Sequence, residues 1–206
     1  MEETKIFLIT YFAALVGVIP PGLVNMTVAK TCIQRGKRSG MYVAVGATVV
    51  VFIQALIAIL LAKYIFNNPY IHNILLRTGL VILVLMLIYF LIMAKRKAKQ
   101  VEYSSDGFTK SFFKGTMISA LNIFPIPFFC AVGTALNING EVSYHIFHIA
   151  TFVLAAGLGT FTSLYFYVIS FLKIESKADY FARYSNYFMA ALMLILIVFT
   201  LLRIYT

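Results

Sequence analysis

Carboxylates are scarce in this chain. Seven of its 206 residues are Asp or Glu, Cys occurs twice, and there is no Trp. All seven acidic residues, Glu2, Glu3, Glu102, Asp106, Glu141, Glu175 and Asp179, fall outside the long apolar runs. A divalent-metal pathway needs carboxylates or clustered soft ligands at depth, so this distribution argues against metal transport. It also leaves proton coupling without an obvious carrier. Cys32 and Cys130 show no CxxC spacing, which speaks against a disulfide framework and a zinc site; they read as small buried hydrophobes. Nothing assembles a nucleophile–base pair or a phosphate-cradling loop, so neither an enzyme nor a cofactor is expected. The N-terminal MEETK is too acidic for a signal-peptide n-region and no small-residue cleavage site follows, so the apolar run from Ile6 reads as a helix.

What is abundant is hydrophobicity: 62% of residues are hydrophobic and 12% charged, with mean hydropathy +0.92. Ordinary soluble domains are about 45–50% apolar and about 25% charged. A soluble chain of this length could not bury so much apolar surface. A spanning helix takes about 20 apolar residues, and the composition suffices for about six. A soluble enzyme, a secreted disulfide scaffold and a disordered tail are thereby excluded. The expected fold is an all-α integral membrane protein with six transmembrane helices, at about 6–29, 41–61, 74–93, 112–136, 146–172 and 188–204.

The net charge of +10 would suggest nucleic acid in a soluble protein, but here it reports orientation. Of 17 Lys and Arg residues, 13 fall in the first, third and fifth loops, around Lys30–Arg38, Lys95–Lys114 and Lys173–Arg183. The other four are Lys5, Lys63, Arg77 and Arg203. Basic residues are retained on the cytoplasmic side, so both termini are expected on the non-cytoplasmic side of the cell (cytoplasmic or inner) membrane, and no nucleic-acid partner is expected. Tyr11, Tyr42, Tyr64, Tyr89, Tyr144, Tyr187 and Tyr205 fall near span ends and take the anchoring role Trp would share. Tyr165 and Tyr167 lie deeper, as packing or lumen residues.

Each half of the chain, 1–103 and 104–206, holds three spans. Three is odd, so the second half enters the membrane from the opposite side, and any relation between the halves is an inverted repeat. Both first spans are interrupted near mid-membrane: one at Pro20-Pro21-Gly22, the other at Asn122-Ile-Phe-Pro125-Ile-Pro127. Both second spans are rich in small residues, Gly40, Ala44, Gly46, Ala47 and Thr48 against Ala155, Ala156, Gly157, Gly159 and Thr160. Proline frees carbonyls that hydrocarbon cannot satisfy, and half-helix ends carry partial charge. Paired interruptions at corresponding positions therefore point to a transporter's binding site; a single one would read as a packing kink. The small-residue spacings Ala13-x3-Gly17 and Ala155-x3-Gly159-x3-Ser163 read as helix-packing faces.

The polar groups at depth are neutral. Asn25 follows the first break, Asn122 precedes the second, and Gln54 sits midway along the second span, where it requires a partner: an interhelical bond or a ligand. Glu141, His145 and His148 would share a face if the fifth helix began early; interfacial histidines are common, and His72 carries less still.

The stretch Ile19-Pro-Pro-Gly-Leu23, the basic turn Arg35-Gly-Lys-Arg-Ser-Gly40 with the Gly46 helix, and Phe113-Lys-Gly115 with Asn122 seven residues on resemble the LysE/RhtB amino-acid exporter family. The likeness is spread over the whole chain through short motifs in the family's order. It implies a role for Pro21, Gly22 and Asn122 in forming a central site. The departures are Leu23 in place of the proline of Pro-Gly-Pro, and Ile123-Phe124 where Pro-Lys usually follows Asn. Gln54 stands where many relatives show His, and Val50-Val51 where Gly-Asp is frequent. Without a buried carboxylate, a neutral or zwitterionic substrate is favoured over a cation.

The expectation is thus a multi-pass transporter of two inverted three-helix repeats, exporting amino acids or related small metabolites by alternating access. Pro20, Pro21 and Gly22 would open the first helix, Pro125 and Pro127 the fourth; Asn25, Gln54 and Asn122 would meet the ligand. The expected partners are a small-molecule substrate and the lipid bilayer, with homo-oligomer formation left open. A lipid-handling, scramblase-like protein and a non-transporting assembly subunit also stay open at this stage.

Overall fold

The computed structural model describes residues 2–19, 22–66, 107–138 and 144–175, with scattered helical positions within 80–95 and 187–202. Pro20, Pro21, His72, Glu141 and about half of each of the expected spans at 74–93 and 188–204 lie outside the described residues. Five helices are defined: α1 Glu2–Val18, α2 Leu23–Phe66, α3 Phe108–Leu121, α4 Pro125–Ile138 and α5 Ile146–Glu175. Among the described residues there is no strand.

Glu2 and Glu3 open α1, where carboxylates complement the positive helix end. The helix stops before Ile19 because a residue preceding proline is pushed out of the helical region, and the Ile19 N–H closes a tight turn on the Val16 carbonyl at 3.3 Å. α2 restarts at Leu23, with the Met26 N–H on the Gly22 carbonyl at 3.0 Å. The expected first and second spans, 6–29 and 41–61, need correction here. The basic stretch between them is helical, and only Gly36 (φ 82°, ψ 164°) leaves helical geometry. Lys and Arg are good helix formers, so charge alone does not unwind the chain; a positive φ requires Gly. Gly36 reverses the direction. Along a straight helix Val28 and Gly40 would lie about 18 Å apart, yet a Cβ on Gly40 would sit 3.2 Å from the Val28 carbonyl oxygen. Thus α2 is a helical hairpin with arms 23–35 and 37–66, closed by the Ser39 hydroxyl donating to the Arg35 carbonyl at 3.1 Å.

α3 and α4 meet at 63° across Asn122–Phe124, and together they are apolar and long enough to cross a membrane as one broken span. Leu23–Ile65 and Ile146–Ser170 also pass that test. The chain thus breaks at Asn122–Phe124, and α5 starts at Ile146.

The chain divides into two compact units, residues 1–64 with 102–176, and residues 65–101 with 177–206. The first unit contains all five helices apart from the last two residues of α2. Its helices are inside out relative to a soluble bundle. On the second arm of α2, Val45, Val49, Ile53, Leu56, Ile57, Leu60 and Leu61 are exposed, while Ala44, Ala47, Ala55, Ala58 and Ala62 are buried. α5 likewise exposes Leu154, Leu158, Phe166 and Ile169 and buries Ala155, Ala156 and Ser163. Large aliphatics outward and small residues inward suit lipid, where close backbone packing rather than water exclusion joins helices. A deeper apolar cluster of Ile59, Phe129, Leu136 and Phe152 locks α2, α4 and α5 together.

Candidate functional site: two broken helices braced from opposite halves

Each break leaves backbone carbonyls without helical partners, and in an apolar setting each must be met by something. At the first break the Asn25 amide donates to the Val18 carbonyl. The Tyr167 hydroxyl, from α5, donates to the Ile19 carbonyl at 2.6 Å. Asn25 and Tyr167 thus meet adjacent carbonyls of the same break. At the second break the Gln54 Nε2, from α2, donates to the Ser119 carbonyl at 3.1 Å and to the Asn122 carbonyl at 2.8 Å. The Asn122 N–H closes the end of α3 on Ile118 and Ser119. Asn25 and Gln54 are both buried.

The bracing is reciprocal. The second arm of α2 holds the break between α3 and α4, and α5 holds the break between α1 and α2. Two glycine crossings repeat the relation. Gly46 on α2 lies directly on the Phe112 carbonyl of α3, with Gly115 facing Val43 so closely that a Cβ would come 2.9 Å from its Cα. Gly159 on α5 lies on the Tyr11 carbonyl of α1, where a Cβ would come 2.8 Å from Ala14 Cβ. Hydroxyls finish each crossing: Ser119 donates to the Ala47 carbonyl at 3.1 Å, and Ser163 to the Leu15 carbonyl at 2.7 Å. The spacing Ala155-x3-Gly159-x3-Ser163 is therefore a packing face, as its small residues suggested. Gly17 of the other spacing receives the Phe128 ring, whose Cζ would be 2.7 Å from a Cβ there. That contact joins the end of α1 to the start of α4 and sets the two breaks side by side.

The sequence-predicted residues thus separate into groups. Asn25 and Gln54 stand at the breaks and hold backbone. Asn122 is half-buried and supplies the carbonyl that Gln54 grips. Gly22 is exposed, with nothing within 4 Å of a Cβ placed on it. Pro125 is half-buried and Pro127 exposed at the first turn of α4, while Pro20 and Pro21 lie outside the described residues. Tyr167, Phe128 and Ser119 were not singled out as site residues. Tyr167 carried a signal: a buried tyrosine hydroxyl at mid-span needs an acceptor. Phe128 carried none, because nothing in an apolar run of aromatics shows which ring covers a glycine.

His148 lies 3.9 Å from the Glu2 carboxylate, and His145 stacks on Phe147. Among the described residues no group of three His, Cys, Asp or Glu side chains could hold a metal ion.

Lipid-facing helices, interrupted at depth and braced by neutral polar side chains, define a multi-pass membrane protein with the features of a solute carrier. The chain belongs to the LysE type translocator family, whose family model matches residues 15–203. Comparison with curated proteins and with solved structures gives no match. Membership makes the protein a membrane transporter of small molecules, and members of the family are not typically enzymes.

Proposed function

We propose that this protein exports amino acids or closely related small metabolites by alternating access around the two breaks. The carrying observation is the exchange of braces, Gln54 on the carbonyls of Ser119 and Asn122 and Tyr167 on the carbonyl of Ile19. Such an exchange is what two inverted three-helix repeats would give, with 1–103 and 104–206 as the repeats. It also supports a mechanism in which rocking one repeat against the other changes both breaks together. The excess of Lys and Arg in the odd-numbered loops supports six spans with both termini on the non-cytoplasmic side of the cell membrane. The scarcity of acidic groups supports a neutral or zwitterionic cargo.

The test compares solutes inside and outside cells with and without the gene, under amino-acid or dipeptide load. The cells lacking it should accumulate at least one amino acid, and the intact gene should relieve this. Pro21→Ala and Asn122→Ala should reach the membrane in normal amount yet fail to relieve it. Equal solute levels in both strains under every load would refute the export reading, and normal efflux by both variants would refute the site.

A further inference from the structure

Gln54 spends only half of its amide. Nε2 grips two carbonyls, but Oε1 is buried and has no hydrogen-bond partner among the described residues. The orientation is fixed, because turning the amide over would set its oxygen against two carbonyl oxygens. Buried hydroxyls in the same bundle can turn their proton onto their own helix, as Thr48 does on Ala44. A carboxamide oxygen accepts only, and the N–H groups of a helix interior are already used, so it has no such recourse. An unmet buried acceptor is costly. Gln54 is 5% exposed, and its amide is anchored 2.8 Å from the Asn122 carbonyl, so Oε1 lies beside the second break.

At the second break the first turn of α4 is also poor in donors. The first turn of a helix normally presents free N–H groups. Here Pro125 and Pro127 have none, and the Ile126 N–H is given to the Ile123 carbonyl at 3.1 Å. Beside it lie the negative end of α3, its carbonyls with spare lone pairs, and Gln54 Oε1.

We propose that Gln54 Oε1 is a specificity-determining acceptor for an N–H donor, such as a protonated amine, on the transported solute. The inference rests on the transport reading above and narrows it.

The test uses the purified full chain in proteoliposomes loaded with glycine or leucine, each as the parent and as its N-methyl, N,N-dimethyl and N,N,N-trimethyl forms. All are zwitterions; they differ in carrying three, two, one or no N–H. Solute release is followed by mass spectrometry. The wild type should release the first three forms within a few-fold of one another and the trimethyl form at least about tenfold more slowly. A graded decline with size, or release of the trimethyl form as fast as the dimethyl form, would overturn the inference while leaving transport intact. Release of none of the compounds would overturn the amino-acid reading itself, and the inference with it. Gln54→Met should abolish the step between dimethyl and trimethyl forms; a folded Gln54→Met protein that keeps the step would also overturn it. If that variant does not fold, the wild-type series decides alone.

Discussion

At the scale of single residues, the glycines separate packing from function. A Cβ on Gly17 would meet the far edge of the Phe128 ring at 2.7 Å, so the ring must move. Gly17→Ala should cost about 1–3 kcal/mol, read as a lower Tm in detergent, and Phe128→Leu in the same chain should recover most of it. At Gly159 the obstacle includes the Tyr11 carbonyl and Ala14, which cannot swing away. Gly159→Ala should therefore be the more damaging of the two, with no single compensating change. Gly22 is the opposite case. Nothing lies within 4 Å of its Cβ position, so Gly22→Ala should leave Tm within about 0.5 kcal/mol equivalent of wild type while lowering solute efflux. Unaltered efflux would remove Gly22 from the site.

At the scale of elements, the interruptions were legible in the sequence and their braces were not. Proline in a helix interior removes a hydrogen bond and clashes with the preceding turn, so Pro20-Pro21 and Pro125 mark breaks from sequence alone. Which side chain meets the freed carbonyl depends on how helices distant in sequence cross, and Gln54 to Asn122 or Tyr167 to Ile19 cannot be read from spacing. The hairpin in α2 was half legible. Its basic residues marked a membrane boundary, but they were read as a loop, whereas the turn is confined to Gly36. Gly36→Ala forces a Cβ into φ 82° and should cost about 1–2 kcal/mol, visible as a lower unfolding midpoint. Tyr167→Phe removes the donor to the buried Ile19 carbonyl and should cost about 1–3 kcal/mol. Asn25 retains its own bond to Val18, so α1 and α2 should remain helical by circular dichroism.

At the scale of the whole molecule, composition alone indicated the solvent, and the exposed aliphatic stripes of α2 and α5 agree with it. A charge placed on such a stripe tests lipid contact directly. Leu56→Arg should lower membrane insertion by about 2.5–3.5 kcal/mol if it sits near mid-bilayer, whereas the same change at exposed Lys37 is neutral. Orientation has its own measurement. With Cys32 and Cys130 replaced by Ala, a single cysteine at Lys37 should react with impermeant thiol reagents only from the cytoplasmic side. Labelling from outside would invert the proposed topology.

The exchange of braces also bears on how the chain is assembled. Residues 104–206 expressed alone would present a broken helix whose Ser119 and Asn122 carbonyls have lost their donor, and residues 1–103 would lack the hydroxyl that closes Ile19. Neither half can complete itself, and each carries the part the other is missing. During synthesis the first half must therefore wait in the bilayer, incompletely bonded, until α5 arrives. Two separately encoded halves should be degraded singly and persist together.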